Sequence, residues 1–185
     1  MTARIGLGFV LFPCRLSRRR GRPGNPVSLV GSAPAASRRE ASSVVLLRHG
    51  QSIWNKIPTF SGWCDVPLTP QGIAEAQGAG QLLSDRGYTF DVAFTSELQR
   101  AGETCREALQ VLDPSVPIVE NWQLNERHYG ALQGRSKRDP QLKAQYGSEQ
   151  LKAWRREFHA APPAMETSHP YYQNPPAPST GTLRR

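Results

Sequence analysis

Val44-Val45-Leu46-Leu47-Arg48-His49-Gly50 is the stretch whose reading decides the fold. A short run of β-branched residues and leucine reads as a buried parallel strand. The histidine directly after it lies at the strand's carboxyl end, where open α/β sheets place their ligands. Arg48 sets a fixed positive charge beside the imidazole, and Gly50 lets backbone come close to a bound group. Together the three read as a histidine prepared to attack or hold a phosphoryl group.

Outward from that strand, residues 50–68 are irregular, rich in Gly, Pro, Trp and polar side chains. Thr69 followed by Pro70 predicts a capped helix that ends at Gly87, with Ile73, Ala76, Gly80 and Leu83 facing inward. Phe90 to Thr95 predicts a second strand. Ser96 and Gln99 predict a capping box, opening a helix to Leu112 whose buried stripe is Leu98, Ala101, Cys105 and Leu109 or Leu112. Pro117 to Glu120 predicts a third strand, residues 121–139 a long loop, and Gln150 to Phe158 a helix. That order predicts an α/β domain with a doubly wound, mainly parallel sheet and flanking helices. From Ala160 onward the periodicity dissolves among six prolines.

The net charge of +8 invites a nucleic-acid partner, but its distribution argues against one. Residues 1–40 hold eight arginines, no lysine and a single acid, Glu40, so this leader carries +7 and the body only +1. A basic leader of this composition resembles an organelle transit peptide, for a plastid or mitochondrion; without one, a cytoplasmic location is expected. Reading Ile5 to Phe12 as a secretory segment is weaker, because arginines follow where a small-residue cleavage site belongs. No run reaches the roughly 20 apolar residues of a membrane span. Three widely spaced cysteines, Cys14, Cys64 and Cys105, suggest neither a disulfide framework nor a zinc site. The expected divisions are a disordered leader over 1–42, a domain over 43–174 and a disordered proline-rich tail over 175–185.

Four polar clusters accompany the histidine. Asn55 and the Phe60-Ser61-Gly62-Trp63 turn offer an amide, a hydroxyl and backbone N–H groups suited to anionic oxygens. Arg100 falls in a helix's first turn, where a cation opposes the macrodipole and a bound phosphate would explain it. Glu126, in Leu124-Asn125-Glu126-Arg127-His128-Tyr129-Gly130, is a carboxylate among cations and a candidate general acid/base. Lys137, Arg155 and Arg156 add positive charge.

In their order, Arg48-His49-Gly50-Gln51-Ser52, Phe60 to Asp65, Leu68-Thr69-Pro70-Gln71-Gly72, Phe94-Thr95-Ser96, Leu124 to Gly130 and Trp154-Arg155-Arg156 carry a resemblance. The chain resembles the 2,3-bisphosphoglycerate-dependent phosphoglycerate mutases of the histidine phosphatase superfamily. The resemblance implies His49 as the phosphorylated nucleophile, Arg48 and Arg100 as phosphate clamps, and Glu126 as proton donor and acceptor. It places Asn55, Ser61, Gly62, Arg127, His128, Tyr129, Lys137, Arg155 and Arg156 around the substrate. It implies phosphoglycerate as substrate, 2,3-bisphosphoglycerate as phosphoryl primer and no metal, with no nucleic-acid or membrane partner, and leaves a homo-oligomer open. Two other readings stand beside it: a phosphomonoester phosphatase of the same superfamily, and an inactive remnant that binds anions or a full-length subunit.

Two positions depart from the family pattern. Gln51 stands where many members carry Glu. The family also has a further strand, between those matched by 44–48 and 92–95, which leads to a second catalytic histidine. Residues 175–181 do not continue toward it, and a C-terminally truncated domain is expected.

Overall fold

The computed structural model describes residues 9–16, as backbone, and 43–172. The elements in chain order are β1 (Phe9–Leu16), β2 (Ser43–Arg48), α1 (Ile53–Lys56), α2 (Pro70–Asp85), β3 (Tyr88–Phe90), β4 (Ala93–Thr95), α3 (Gln99–Leu112), β5 (Ile118–Glu120), α4 (Pro140–Tyr146) and α5 (Ser148–Arg156). Single 3₁₀ turns lie at Trp122–Leu124 and Gly130–Leu132.

The sheet runs in the order β2-β1-β4-β5, with β3 also pairing to β1. β2, β3 and β4 are each antiparallel to β1, while β4 and β5 are parallel. Four strands therefore share one direction, β1 runs against them, and the parallel ladder among the described strands is that of β4 with β5. The place between β2 and β4, where the family resemblance puts a further strand, is held by β1 in the opposite sense.

Within the leader read as disordered over 1–42, Phe9–Leu16 is described as this strand. Phe-Val-Leu-Phe favours extended backbone, and the two strand edges beside it carry donors and acceptors that need partners. The rest of the leader, including the bulk of the transit-peptide reading, lies outside the described residues, as do residues 173–185.

Local chemistry explains most boundaries. The Thr69 side chain accepts from the Gly72 N–H, and Pro70 takes the first helical position, so α2 starts where the sequence predicts. The predicted strand 90–95 is instead two short strands, interrupted after Phe90. The Ser96–Gln99 capping box does not form. Ser96 Oγ accepts from the Leu98 N–H, and the Gln99 N–H is taken at 2.6 Å by Asp65, a carboxylate from another loop. α4, unmarked in the sequence reading, is opened by Asp139, whose carboxylate accepts from the Gln141 N–H, followed by Pro140.

Two apolar clusters hold these elements. Phe90, Ala93, Cys105, Leu109 and Val116 form the first, with Val45, Leu47 and Leu83 packed against it. Phe60, Tyr129, Leu132, Leu142 and Trp154 form the second, joining the irregular segments to α4 and α5. Each fully buried large side chain contributes about 1.5–3 kcal/mol, against roughly 1 kcal/mol net per ladder hydrogen bond. For three-residue strands the clusters dominate. Val44 and Leu46, alternating with Val45 and Leu47, are exposed on β2's other face. The buried stripe of α3 matches its prediction at Leu98, Ala101, Cys105 and Leu109.

α2 and α3 cross at glycine. A Cβ on Gly80 would sit 2.2 Å from the Ala108 carbonyl oxygen, whereas one on Gly78 would meet nothing within 4 Å. Alanine is favoured over glycine in a helix by about 1 kcal/mol, but backbone overpacking costs about 1–3 kcal/mol. Denaturant unfolding should therefore show Gly80→Ala destabilised and Gly78→Ala slightly stabilised. Equal stabilisation of both would contradict the crossing.

Candidate active site

His49 is buried just beyond β2, and its Nδ1 donates to the Gly50 carbonyl at 2.7 Å. A carbonyl only accepts, so the proton resides on Nδ1 and Nε2 keeps its lone pair. Burial lowers the imidazole's pKa to about 4, opposed next by the Gly50 bond, with the nearby Arg100 and Arg48 charges adding lesser downward pushes. At neutral pH the ring is an uncharged base aimed by its own backbone.

The turn after His49 is clamped from two sides. The Gly50 N–H donates to Thr104 Oγ1 at 3.0 Å, and that hydroxyl donates to the Arg100 carbonyl at 2.7 Å. A Cβ on Gly50 would lie 2.2 Å from the Gly72 carbonyl oxygen. The structure thus places Gly50 in close approach to the start of α2.

Arg100, the second residue of α3, is 1% exposed. Its Nη1 donates to the Cys64 carbonyl at 3.1 Å, and its Nη2 to the Gly62 carbonyl at 2.9 Å and Glu126 Oε2 at 2.8 Å. Three segments distant in sequence thus meet on one guanidinium. Glu126 is itself buried, and its backbone carbonyl accepts from Trp63 Nε1 at 2.7 Å.

The remaining predicted residues divide. Tyr129 is buried against Phe60, edge to face at 5.2 Å. Its hydroxyl is pushed up by burial and by Glu126, while the Arg127, Arg155 and Arg100 charges act the other way. Lys137 Nζ lies 5.8 Å over the Phe60 ring. Burial lowers its pKa, as do the Arg155, Arg48 and Arg100 charges, with Glu126 opposing them. Those mutual effects place Arg48, Arg100, Lys137, Arg155 and Glu126 in one electrostatic neighbourhood. Within it, Arg48, Lys137 and Arg155 form no ion pair with a described residue.

Asn55 uses its side-chain oxygen to accept from the Ser52 N–H and hydroxyl, fixing the turn at α1. Ser61 is buried, and its carbonyl accepts from the Cys64 N–H. Arg127 is elsewhere: its guanidinium donates to the Trp154 and Glu157 carbonyls, capping the end of α5. His128 props the loop, its Nδ1 accepting from the Gly130 N–H and its ring edge-on to Trp63. Arg156 is exposed on α5 and makes no ion pair with a described residue.

Two organising residues escaped the sequence reading. Thr104 lies one turn after Arg100, and that spacing on a buried stripe was an available signal. Gln133 carried none. It is buried, and its Oε1 accepts from the Trp63 N–H at 2.9 Å while its Nε2 lies 3.4 Å from Cys64 Sγ. Cys64 and Cys105 are free thiols, pushed up by burial to about 11 and about 12. Among the described residues no group of three or more His, Cys, Asp or Glu side chains is placed to hold a metal ion, and no helix is long and apolar enough to cross a membrane.

His49 thus keeps Nε2 open beside Arg48 and Arg100, in a neighbourhood where Arg48, Lys137 and Arg155 form no ion pair with a described residue. Residues 44–173 match the histidine phosphatase superfamily (branch 1). The chain belongs to that superfamily. It is similar to the alpha-ribazole phosphatase of Shigella flexneri, at 36% identity and a TM-score of 0.52 over 62% of this chain and 54% of that one. A protein from Escherichia coli provisionally assigned as an alpha-ribazole-5'-P phosphatase is similar at 36% identity and the same TM-score, 0.52, over 64% and 55%. The chain spans little more than half the length of these two relatives, 54% and 55%.

The lowered pKa of His49 has a consequence for stability. Between pH 6.5 and about 4 the unfolded chain takes up a proton that the folded histidine refuses. Its contribution is fully present above pH 6.5 and is lost as pH falls through that window. Melting temperatures of wild type and His49→Gln across this range should converge toward low pH, the wild type falling more steeply. Parallel curves would show that His49 is not held neutral.

Proposed function

We propose that the protein transfers phosphoryl groups of small phosphomonoesters through phospho-His49, and that its reaction is the interconversion of 3- and 2-phosphoglycerate. The observation that carries the first part is the Nδ1 bond to Gly50, which leaves Nε2 as the nucleophile. The Leu124 to Gly130 segment supports the second, because it brings Glu126 onto Arg100 and Tyr129 close by.

In the proposed steps a hydroxyl of phosphoglycerate gives its proton to Glu126, whose Oε1 makes no hydrogen bond to a described residue, and attacks the phosphorus of phospho-His49. The new O–P bond forms as the N–P bond breaks, leaving 2,3-bisphosphoglycerate in the site. Nε2 then attacks the phosphorus on the other carbon, the N–P bond forms again, the ester P–O bond breaks, and the departing oxygen takes back the proton from Glu126. Splitting the transfer in two replaces one difficult step by two easier ones. Arg48, Lys137 and Arg155 offset the charge of the phosphoryl oxygens and the substrate carboxylate.

The same cations suit 2,3-bisphosphoglycerate, an anion with two phosphates and a carboxylate. When bound, that compound supplies the phosphoryl group that charges His49. Its residues of contact would be Arg48, Lys137 and Arg155, with Arg100 behind them.

A second reading, phosphoester hydrolysis by water at phospho-His49, is favoured by the two phosphatases at 36% identity. Assays on the full chain separate the two. Mutase chemistry predicts that formation of 2-phosphoglycerate, with a trace of 2,3-bisphosphoglycerate, outpaces phosphate release from phosphoglycerate, p-nitrophenyl phosphate and alpha-ribazole phosphate. His49→Gln should cost about 10³-fold or more, and Glu126→Gln about 10²–10⁴-fold. Faster phosphate release would favour the phosphatase. Absence of both activities and of acid-labile phosphohistidine would overturn both, leaving the anion-binding reading.

A further inference from the structure

We propose that Phe9–Leu16 is the strand that holds the histidine-bearing β2 to the rest of the sheet, so that this part of the leader belongs to the folded site. β1 pairs with β2 along six residues, from Cys14↔Ser43 to Phe9↔Arg48. Its pairing ends opposite the residue that precedes His49. On its other edge Leu11 pairs with Phe94 of β4, and Cys14 to Leu16 pair with β3. β2 has no other sheet neighbour among the described residues. β4 in turn leads through Ser96 into α3 and Arg100. The strand therefore spans the two segments that carry the nucleophile and the buried arginine.

Pro13 is the weak point of a central strand, since it brings no N–H. Its place softens the loss. On the β3/β4 edge it falls between the Cys14↔Phe90 and Leu11↔Phe94 pairs, where the ladder is already interrupted. Residues 17–42 join β1 to β2 along the chain and keep the strand nearby. A leader removed at its junction with Ser43 would take the central strand with it unless the strand stayed bound.

The alternative is that β2 is held without β1, by Val45 and Leu47 in the core and by the Gly50–Thr104 bond. Hydrogen exchange on the full chain separates the two. Leu11 is in register with both Leu46 and Phe94, so Leu11→Pro should lower amide protection at 44–47 and 93–95 by about tenfold or more. Val27→Pro, in the link, should not. Because Leu11→Pro could also unfold the whole chain, a protease site inserted after Gly31 provides the second measurement.

After cutting, two outcomes support the strand's role: the N-terminal fragment co-elutes with protected amides at 9–16, or it separates and amides 44–47 lose protection. Separation with 44–47 still protected would overturn it. So would co-elution with 9–16 unprotected, or equal protection in Leu11→Pro and Val27→Pro. No readout needs turnover, so failure of the proposed activity would not be mistaken for failure of the strand.

Discussion

Arg100 carries a full positive charge at 1% exposure, and the arrangement of the site depends on how that charge is met. Taking a guanidinium out of water costs several kcal/mol, recovered only if hydrogen bonds satisfy it in good geometry. Here the Gly62 and Cys64 carbonyls and the Glu126 carboxylate do so. Each acceptor lies on an irregular segment with no sheet or long helix of its own. The arginine thus determines where the 60–64 turn and the 124–130 loop sit relative to α3. Through its backbone carbonyl and Thr104 it also reaches the turn that aims His49.

That constraint ties chemistry to architecture. Glu126 is paired with Arg100 by one oxygen, and its other oxygen makes no hydrogen bond to a described residue. Arg48, Lys137 and Arg155 form no ion pair with a described residue, and the Arg48 and Arg155 charges both act on Lys137. The superfamily's phosphoryl-transfer chemistry needs a neutral nucleophilic imidazole beside such charge. Burial of His49 and its bond to Gly50 provide the imidazole.

Much of this was legible in the sequence where one local pattern had one physical outcome. The Thr69-Pro70 start of α2 and the buried stripe of α3 formed as their residues predict; the strand before His49 formed too, but paired antiparallel to β1 and with Val44 and Leu46 exposed. What failed depended on distant partners. Ser96 looked like half of a capping box, but Asp65 reaches the helix end first. Arg127, read as a substrate ligand beside Glu126, has its guanidinium bonded to the carbonyls at the end of α5, a partnership the sequence did not show. Gln133 sits in no pattern at all, because its role is to bridge two loops that only the fold brings together. Phe9–Leu16 was hidden by the basic residues around it: composition described the leader as a whole, while a short apolar segment within it found an open place in the sheet.

The central claim is that the Arg100–Glu126 contact, and not packing alone, joins the loops into a site. Unfolding free energies of Arg100→Met, Glu126→Gln and the double variant test it most directly. Arg100→Met leaves a buried carboxylate unpaired and should cost about 3–5 kcal/mol. The double variant should cost less than the sum of the singles by about 1–3 kcal/mol. Single effects that add to within about 0.5 kcal/mol would contradict the account.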